Sequence, residues 1–571
     1  MKTPFRFWFL PIGVLVALAL ARPALAAPPI PQLEKRGAAT QLIVDGRPFL
    51  ILGGEIANTA SSSPAYMYET WYRLGRMNLN TVLAGVGWDW IEPVEGKYDF
   101  SLVDSLLTGA RRQHLRLVFL WFGSWKNGIS SFAPPWVKAD QARFPRVQIK
   151  GGSSIEVLSP FATANRDADT RAYVALMQHL ADVDAGHRIV VMMQMENEVG
   201  VLGDSRDRSA AAERAFGQAV PPGLITYLQR HQERLNPELR RLWTAAGART
   251  AGTWTEVFGP GPATDEIFMA WWYARYMDHI AQAGKAVYPL PVYTNTWIVQ
   301  PEDTGPGDYP SGGPEPLVLD VWKAAAPGID LNAPDIYLPN FADWAARFHR
   351  PDNPLFVPES RGDAAGAANA FYAIGRHAAL GYSPFGIDNA GRLLALRPEA
   401  GEPPDVDVHK LPLPEAYAVL GELAPLILEH QASGTISAVL LNHDHQTESI
   451  PLGHYILNAD LRRNRRDPSQ VPPFGYGLFI ALGPDEYLVA GSDLQVTFTP
   501  NTPGPPIAGI ATAEAGTFVR GEWAPGRRMN GDDILLDYKL AEAAANHQSG
   551  SGLRFGPGAP TIQRVTLYRY R

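Results

Sequence analysis

The chain has 571 residues, 46% of them apolar and 19% charged, a composition that excludes a disordered or fibrous protein and gives ample core for about two to four domains. A net charge of −8, with no run of Lys or Arg long enough to form a basic face, argues against a nucleic-acid partner. The absence of cysteine excludes a disulfide framework and a thiol-borne lipid anchor.

Residues 1–27 read as a signal peptide: Lys2 and Arg6, an apolar run from Phe7 to Ala21, then Ala24-Leu25-Ala26 as a small-residue cleavage site. The run contains Pro11 and Gly13 and is shorter than a spanning helix needs. A periplasmic or secreted protein that does not span a membrane is expected, and the β-rich texture of the C-terminal part would suit a homodimer as well as packing on the rest of the chain or polysaccharide binding.

Gln41–Val44 and Phe49–Leu52 read as strands joined at Asp45-Gly46, the second ending in Gly53-Gly54-Glu55-Ile56-Ala57-Asn58. Tyr66–Gly75 has helical spacing, Asn80–Gly85 is strand-like, Ser101–Arg112 is helical, and Leu115–Phe122 is the next buried strand. Thr170–Ala185 is an amphipathic helix leading to the apolar run Ile189–Met193. Ala210–Ala246 and Ile267–Gly284 are helix-forming, and Leu290–Trp297 is a strand. A Pro/Gly-rich surface loop, Pro301–Pro316, and a helix around Pro316–Ala325 follow. Strands are then expected at Asp335–Leu338, Leu355–Pro358 and Pro384–Ile387, with an Ala-rich helix at Ala364–Leu380 and a last helix at Leu413–Gln431. Eight strands alternating with helices or long loops predict a (β/α)8 TIM barrel over residues 28–431, in the α/β class.

The texture changes beyond residue 432. Ile436–Leu441, Tyr455–Leu461, Gly477–Leu482, Tyr487–Ala490, Leu494–Phe498, Thr517–Arg520, Ile534–Tyr538 and Val565–Tyr568 are short strands between Gly, Pro and Asn turns, with one short helix at Leu540–Asn546. This spacing predicts an all-β, sandwich-like domain over residues 432–571.

The chemistry concentrates where polarity interrupts buried strands. After Ile189–Met193 come Gln194, Glu196, Asn197 and Glu198, at the C-terminal mouth where barrel enzymes build their sites. By the period of two, Gln194, Glu196 and Glu198 share a face, so periodicity leaves both Glu196 and Glu198 as candidates. Glu359 ends another strand, where the bland alternative is a first-turn acid of the helix that follows. Two carboxylates at one mouth suit glycosidic bond cleavage, one protonating the leaving oxygen and one attacking or activating water. No His-Glu-x-x-His, phosphate-binding loop or serine elbow motif is present, so neither a metal nor an organic cofactor is expected.

Gln194-Met195-Glu196-Asn197-Glu198-Val199-Gly200 resembles the acid/base signature of glycoside hydrolase family 35, the β-galactosidases. Trp88, Ile91-Glu92-Pro93 and Gly96-Lys97-Tyr98-Asp99-Phe100 are similar to that family's second-strand motif. Gly53–Asn58, Leu120–Gly128 and Val357-Pro358-Glu359 are similar to its shorter bacterial members, which carry a β-rich C-terminal domain. The resemblance implies a retaining double displacement, with Glu198 as acid/base and Glu359 as nucleophile, their carboxyls about 5–5.5 Å apart. It implies that Asn197 bonds the sugar 2-hydroxyl and that Tyr337 orients Glu359. The family's usual Gly-His-Tyr opening is replaced by Gly53–Asn58, and Asp89-Trp90-Ile91 stands where Asn-x-His is commoner. Glu55, Asn295, Trp297 and Asp388 are candidate sugar contacts from their strand-end positions, and Trp121, Trp125 and Trp136 from their ability to stack on sugars. The expected substrate is terminal β-linked galactose on plant cell-wall oligosaccharides such as xyloglucan side chains. The alternatives are a β-glucosidase-, mannanase- or arabinosidase-like retaining barrel hydrolase and a non-catalytic carbohydrate-binding protein.

Overall fold

The computed structural model describes residues 28–389, 407–462, 471–534 and 552–571. Seven strands form one parallel sheet: β1 (Ile51–Glu55), β2 (Thr81–Gly87), β3 (Arg116–Lys126), β4 (Val190–Asn197), β5 (Val292–Trp297), β6 (Leu331–Asp335) and β7 (Gly381–Tyr382). Their order is β6-β5-β4-β3-β2-β1-β7. The gap between β6 and β7 is filled by residues 355–360, bridged in parallel on one side (Ile336 with Ser360) and on the other (Val357 with Tyr382). The sheet thereby closes into the barrel that the alternation of strand and helix predicts.

The helices around it are α1 (Pro64–Leu74), α2 (Ser101–Arg112), α3 (Thr163–Val183), α4 (Pro262–Val287), α5 (Leu319–Ala325), α6 (Phe341–Phe348), α7 (Ala364–His377) and α8 (Pro412–Ser433). Every residue of β2 and β4 is buried, as strands covered on both faces require. Inward side chains such as Leu83, Val118, Leu120, Met192, Tyr293 and Phe356 fill the barrel. Leu42 and Val44 join them from an antiparallel three-stranded sheet (Gln32–Arg36, Ala39–Val44, Arg47–Phe49) that closes the N-terminal end.

Three expectations shift. The sixth strand is Leu331–Asp335, four residues earlier than the pattern suggests, because Asn332 and Pro334 interrupt its apolar run. The eighth stave is Gly381–Tyr382 rather than Pro384–Ile387, and residues 387–389 form a single 3-10 turn. The helix-forming stretch 210–246 is broken into Ala210–Phe216, Pro222–His231 and Pro237–Ala245, each later piece opening on a proline that suits a first turn and no interior.

The C-terminal part is a two-sheet sandwich. Its strands are β8 (Ile436–Asn442), β9 (Thr447–Leu452), β10 (Tyr455–Leu461), β11 (Phe474–Ala481), β12 (Glu486–Ser492), β13 (Leu494–Pro500), β14 (Ile507–Val519), β15 (Glu522–Arg528), β16 (Gly552–Arg554) and β17 (Thr561–Tyr570). One sheet runs β8-β11-β12-β17-β14-β15 and the other β9-β10-β13-β16. Of the expected elements, most of Ile534–Tyr538 and all of Leu540–Asn546 lie outside the described residues. Val439, Leu457, Phe479, Val489, Val496 and Phe498 fill the space between the sheets. The outer face of the larger sheet is buried as well: Leu478, Ile480, Leu488 and Ala490 belong to the core that surrounds the barrel. The approach on α7 is close, since a Cβ on Gly375 would meet the Ala438 Cβ at 2.7 Å and the Ser437 carbonyl at 3.1 Å. Gly375 is therefore a packing glycine.

Candidate active site

The polar end of β4 does not keep the strand's period of two. Glu196 and Glu198 both adopt left-handed backbone, φ +56° and +46°, an uncommon conformation for such side chains and one that occurs at functional sites. The first twist turns Glu196 away from the mouth. Its carboxylate accepts the backbone N–H groups of Gly123 (3.2 Å), Ser124 (3.1 Å) and Trp125 (2.8 Å) at the end of β3. Asp169 of α3 hydrogen-bonds Glu196, and burial raises both carboxyls above their ordinary values. Gly123 is needed here, because a Cβ would stand 2.8 Å from Asp169 Oδ1 and 2.9 Å from Glu196 Oε1. Of the two candidates that periodicity leaves open, Glu196 anchors β3, and Glu198 faces the mouth.

Glu198, Asp335 and Glu359 each present a carboxylate oxygen, the three lying within 4.8 Å of one another. Burial, and then the charge of Glu359, push the Glu198 carboxyl up to about 8, so it is a protonated acid at neutral pH. Asp335 is raised well above its ordinary value by burial and by Glu359, and it shares a hydrogen bond with Glu198. Glu359 is instead supplied with donors: Tyr337 OH at 2.8 Å on Oε2, and Asn197 Nδ2 at 3.2 Å and Asn295 Nδ2 at 3.4 Å on Oε1. A protonated Glu198 thus faces a Glu359 carboxyl that three donors hold in place, the pairing that acid-assisted attack requires.

Lys126 sets the orientation of Asn197. Its buried ammonium donates to Asn197 Oδ1 at 2.8 Å, which leaves Nδ2 to face Glu359. Asn295 is a bracket: Oδ1 accepts the Glu198 N–H at 3.0 Å, and Nδ2 reaches Asp335 at 2.7 Å. Glu55, at the end of β1, is fully buried, neither carboxyl oxygen has a hydrogen-bond partner, and burial and Glu359 raise it. Three clustered carboxylates are also a donor set for a hard cation. Here the donors to Glu359 and Asp335 and the bond between Glu198 and Asp335 already satisfy much of that capacity.

Of the residues expected at the site, Glu198, Glu359, Asn197, Tyr337, Asn295 and Glu55 are thus brought together. Tyr337 lies two residues beyond the end of β6 rather than on it. Trp297 ends β5, level with Asp335 and half-buried. Four others are placed elsewhere. Trp121 points into the helical layer, its indole N–H on Asp169 at 2.8 Å and its ring against Tyr173. Trp125 packs between Tyr273 and Tyr276 and donates to the Leu158 carbonyl. Trp136 packs on Trp88 and Phe144. Asp388 is engaged by the Ala57 N–H at 2.8 Å and the Tyr66 hydroxyl at 2.6 Å, tying the loop after β1 to the end of the barrel. Asp335, Lys126 and Asp169 are the groups that sequence reasoning missed. Asp335 was hidden by the shifted sixth strand, which placed it at a strand's start.

A closed parallel barrel with paired carboxyl groups at its C-terminal mouth is an arrangement that glycosidases of the α/β-barrel class use. Residues 63–281 match the model of glycoside hydrolase family 42, described as Beta-galactosidase, and residues 413–539 match a domain of unknown function (DUF5597). A Beta-galactosidase of Xanthomonas manihotis is 28% identical over 219 residues, covering 36% of this chain and 34% of that one. The chain therefore matches about a third of that relative's length. The crystal structure of a beta-galactosidase from the psychrophilic Marinomonas ef1 has a TM-score of 0.44 at 12% identity, covering 67% of this chain and 61% of that one. A beta-galactosidase from Bacillus circulans sp. alkalophilus gives a TM-score of 0.43 at 17% identity, covering 66% of this chain and 57% of that one. The family likeness is to the β-galactosidase glycoside hydrolases, and the matched model is family 42 where the motifs resemble family 35. The matched segment contains Lys126, Asn197 and Glu198, whereas Asp335, Tyr337 and Glu359 lie beyond it.

Proposed function

We propose that this chain is a retaining exo-β-galactosidase acting on terminal β-linked galactose of plant cell-wall oligosaccharides, xyloglucan side chains among them. Glu198 gives its proton to the glycosidic oxygen while Glu359 attacks the anomeric carbon from the opposite face, forming a glycosyl ester and releasing the aglycone. Glu198, now a base, takes a proton from water, which attacks the same carbon and frees galactose and Glu359. The observation that carries this reading is the short separation of the Glu198 and Glu359 carboxylates, within 4.8 Å at their facing oxygens. Retaining glycosidases space the pair about 5–5.5 Å apart, whereas inverting ones leave about 6.5–9.5 Å for a water. Asn197 Nδ2 is held where a sugar 2-hydroxyl would meet it, and Tyr337 keeps Glu359 aimed. Export to the periplasm or medium follows from the reading of residues 1–27. Among the described residues no helix is long and apolar enough to cross a membrane.

A second reading keeps the chemistry and changes the sugar. It is favoured by Glu55, a partnerless buried carboxyl in the segment that replaces the Gly-His-Tyr opening. A panel of nitrophenyl glycosides separates the two. The mechanism is tested with Glu198→Ala and Glu359→Ala and added azide. Rescue of Glu359→Ala as the α-galactosyl azide and of Glu198→Ala as the β-azide is expected. Full activity in Glu198→Ala, or an α-sugar as wild-type product, would overturn it.

A further inference from the structure

Asp335 closes β6 at the mouth, 2% exposed and in register with Trp297 of β5. It is the member of the three-carboxyl cluster to which the proposed mechanism assigns no task. Its surroundings define what each of its oxygens can do. Asn295 Oδ1 accepts the Glu198 N–H, so Nδ2 is the end that reaches Asp335, and Asp335 Oδ2 is an acceptor. Oδ1 is buried, and no N–H or hydroxyl donor among the described residues reaches it. A buried carboxylate oxygen without a donor is costly, and the cost falls away when that oxygen carries a proton and donates it. An acceptor is at hand. Asp335 shares a hydrogen bond with Glu198, and a bond between two carboxyl groups exists only while one of them holds a proton.

The titratable groups that face this pair are Glu359 from residues 355–360, Glu55 of β1, Lys126 of β3, Tyr293 of β5 and Tyr337. A charge on Asp335 would thus stand among acids, with Lys126 as the one cation of the set. Burial first, then Glu359, Glu198 and Glu55, raise the Asp335 carboxyl well above its ordinary value, and the bond to Glu198 adds to the rise. Glu198, pushed up by burial and Glu359, is drawn back by Lys126 and by that same bond. Both signs belong to a bond in which Asp335 is the donor.

We propose that Asp335 is a positioning residue, a neutral carboxylic acid held by Asn295 that donates from Oδ1 to one oxygen of Glu198. The proposal rests on the glycosidase reading above and concerns how Glu198 serves first as acid and then as base. While Glu198 holds its proton, Asp335 occupies one of its oxygens as a donor and so leaves that proton on the other. Once Glu198 has protonated the glycosidic oxygen, the acceptor of the bond is a carboxylate, and a charge-assisted bond is the stronger one. Asp335 keeps its own proton throughout, so the proton count of the reaction is unchanged.

The test is the sign of a displacement. kcat/KM on nitrophenyl β-galactoside is followed across pH in the full chain, in Asp335→Leu and in Asp335→Asn, whose amide can donate to Glu198 while its oxygen accepts from Asn295. Asp335→Leu is expected to lose about tenfold or more, and its alkaline limb, set by loss of the Glu198 proton, to move upward. Asp335→Asn should recover most of that loss, with its limb near the wild-type position, and it carries the test alone if the Leu variant does not fold. Were Asp335 ionised, removing its charge would lower Glu198 and move the limb downward in either variant. That result, or near-wild-type kcat/KM in a folded Asp335→Leu, overturns the proposal. Melting curves read the same group without turnover. An acid kept neutral by the fold loses stability as pH rises and an amide does not, so Asp335→Asn should gain on wild type in melting temperature from mildly acidic to mildly alkaline pH. A difference that runs the other way overturns the proposal whether or not a galactoside is cleaved. A wild type that cleaves none removes the proposed function alone.

Discussion

Replacing Lys126 with Met keeps most of the side chain's length and removes the charge that fixes Asn197. The lost contact is a buried bond of 2.8 Å from an ammonium to an amide oxygen. Bonds of this charged kind contribute about 1.5–3 kcal/mol. At about 1.4 kcal/mol per tenfold, kcat/KM should fall roughly 10- to 150-fold if the contact is fully felt in the transition state. A second effect has a definite sign. Lys126 lowers the pKa of Glu198, whose burial and neighbour Glu359 otherwise raise it. Glu198 must hold its proton for the first step, so activity falls as pH rises through its pKa, and removal of Lys126 should move that alkaline limb upward. Lys126→Arg should keep the limb nearer the wild-type position. The assay is kcat/KM on nitrophenyl β-galactoside across the pH range, with melting curves to confirm folding. A folded Met variant with near-wild-type kcat/KM, or with its limb displaced downward, would refute the reasoning.

Glu196→Gln turns one of three well-placed acceptor contacts into a clash of donors and should cost about 1–3 kcal/mol of stability; Glu198→Gln should abolish turnover with little change in melting. The assignment of roles fails if Glu196→Gln melts normally and is inactive. Trp121→Phe removes the indole donor to Asp169 and should lower stability by about 1–3 kcal/mol without raising KM for the galactoside; a raised KM at unchanged melting temperature would return Trp121 to the sugar. Buried Glu55, Glu196, Glu198, Glu266, Glu315 and Asp335 all have folded pKa values above their ordinary ones. The folded state therefore binds more protons than the unfolded above the ordinary carboxylate range, and stability should fall as pH rises from there through the raised values. Denaturant midpoints at mildly acidic and mildly alkaline pH check this, and a rise toward alkali would contradict it.

The barrel was legible because its strands are buried on both faces and leave unbroken apolar runs such as Ile189–Met193. Legibility failed where a strand is short or interrupted: Leu331–Asp335 contains Asn332 and Pro334, and Gly381–Tyr382 is two residues long. Strand ends point to Glu55, Glu198, Asn295 and Glu359, but leave Glu196 open beside Glu198; the roles of Glu198, Glu359 and Asn197 come from the motif resemblance. Strand-end position carries no information about direction, however. The left-handed backbone at Glu196 and Glu198 breaks the alternation on which facing is inferred, and no local residue pattern announces it. Trp121 and Trp125 failed for a related reason, since an aromatic at a strand end serves the surrounding helices as readily as a ligand. The partners of Glu196 come from β3 and α3, far away along the chain, and only the fold brings Asp169 beneath it.

The seam between barrel and sandwich bears on how this protein can be divided. The match to a domain of unknown function begins at residue 413, inside α8, whose Tyr417 hydroxyl reaches the Gly53 carbonyl at 3.0 Å and the Tyr382 carbonyl at 2.7 Å. A cut there would remove a brace between the first and last staves, and one after α8 would uncover the face of α7 at Gly375. Either cut leaves a packed surface bare, so the piece that a genome would shuffle, or an expression vector carry, at least cost in stability is barrel and sandwich together.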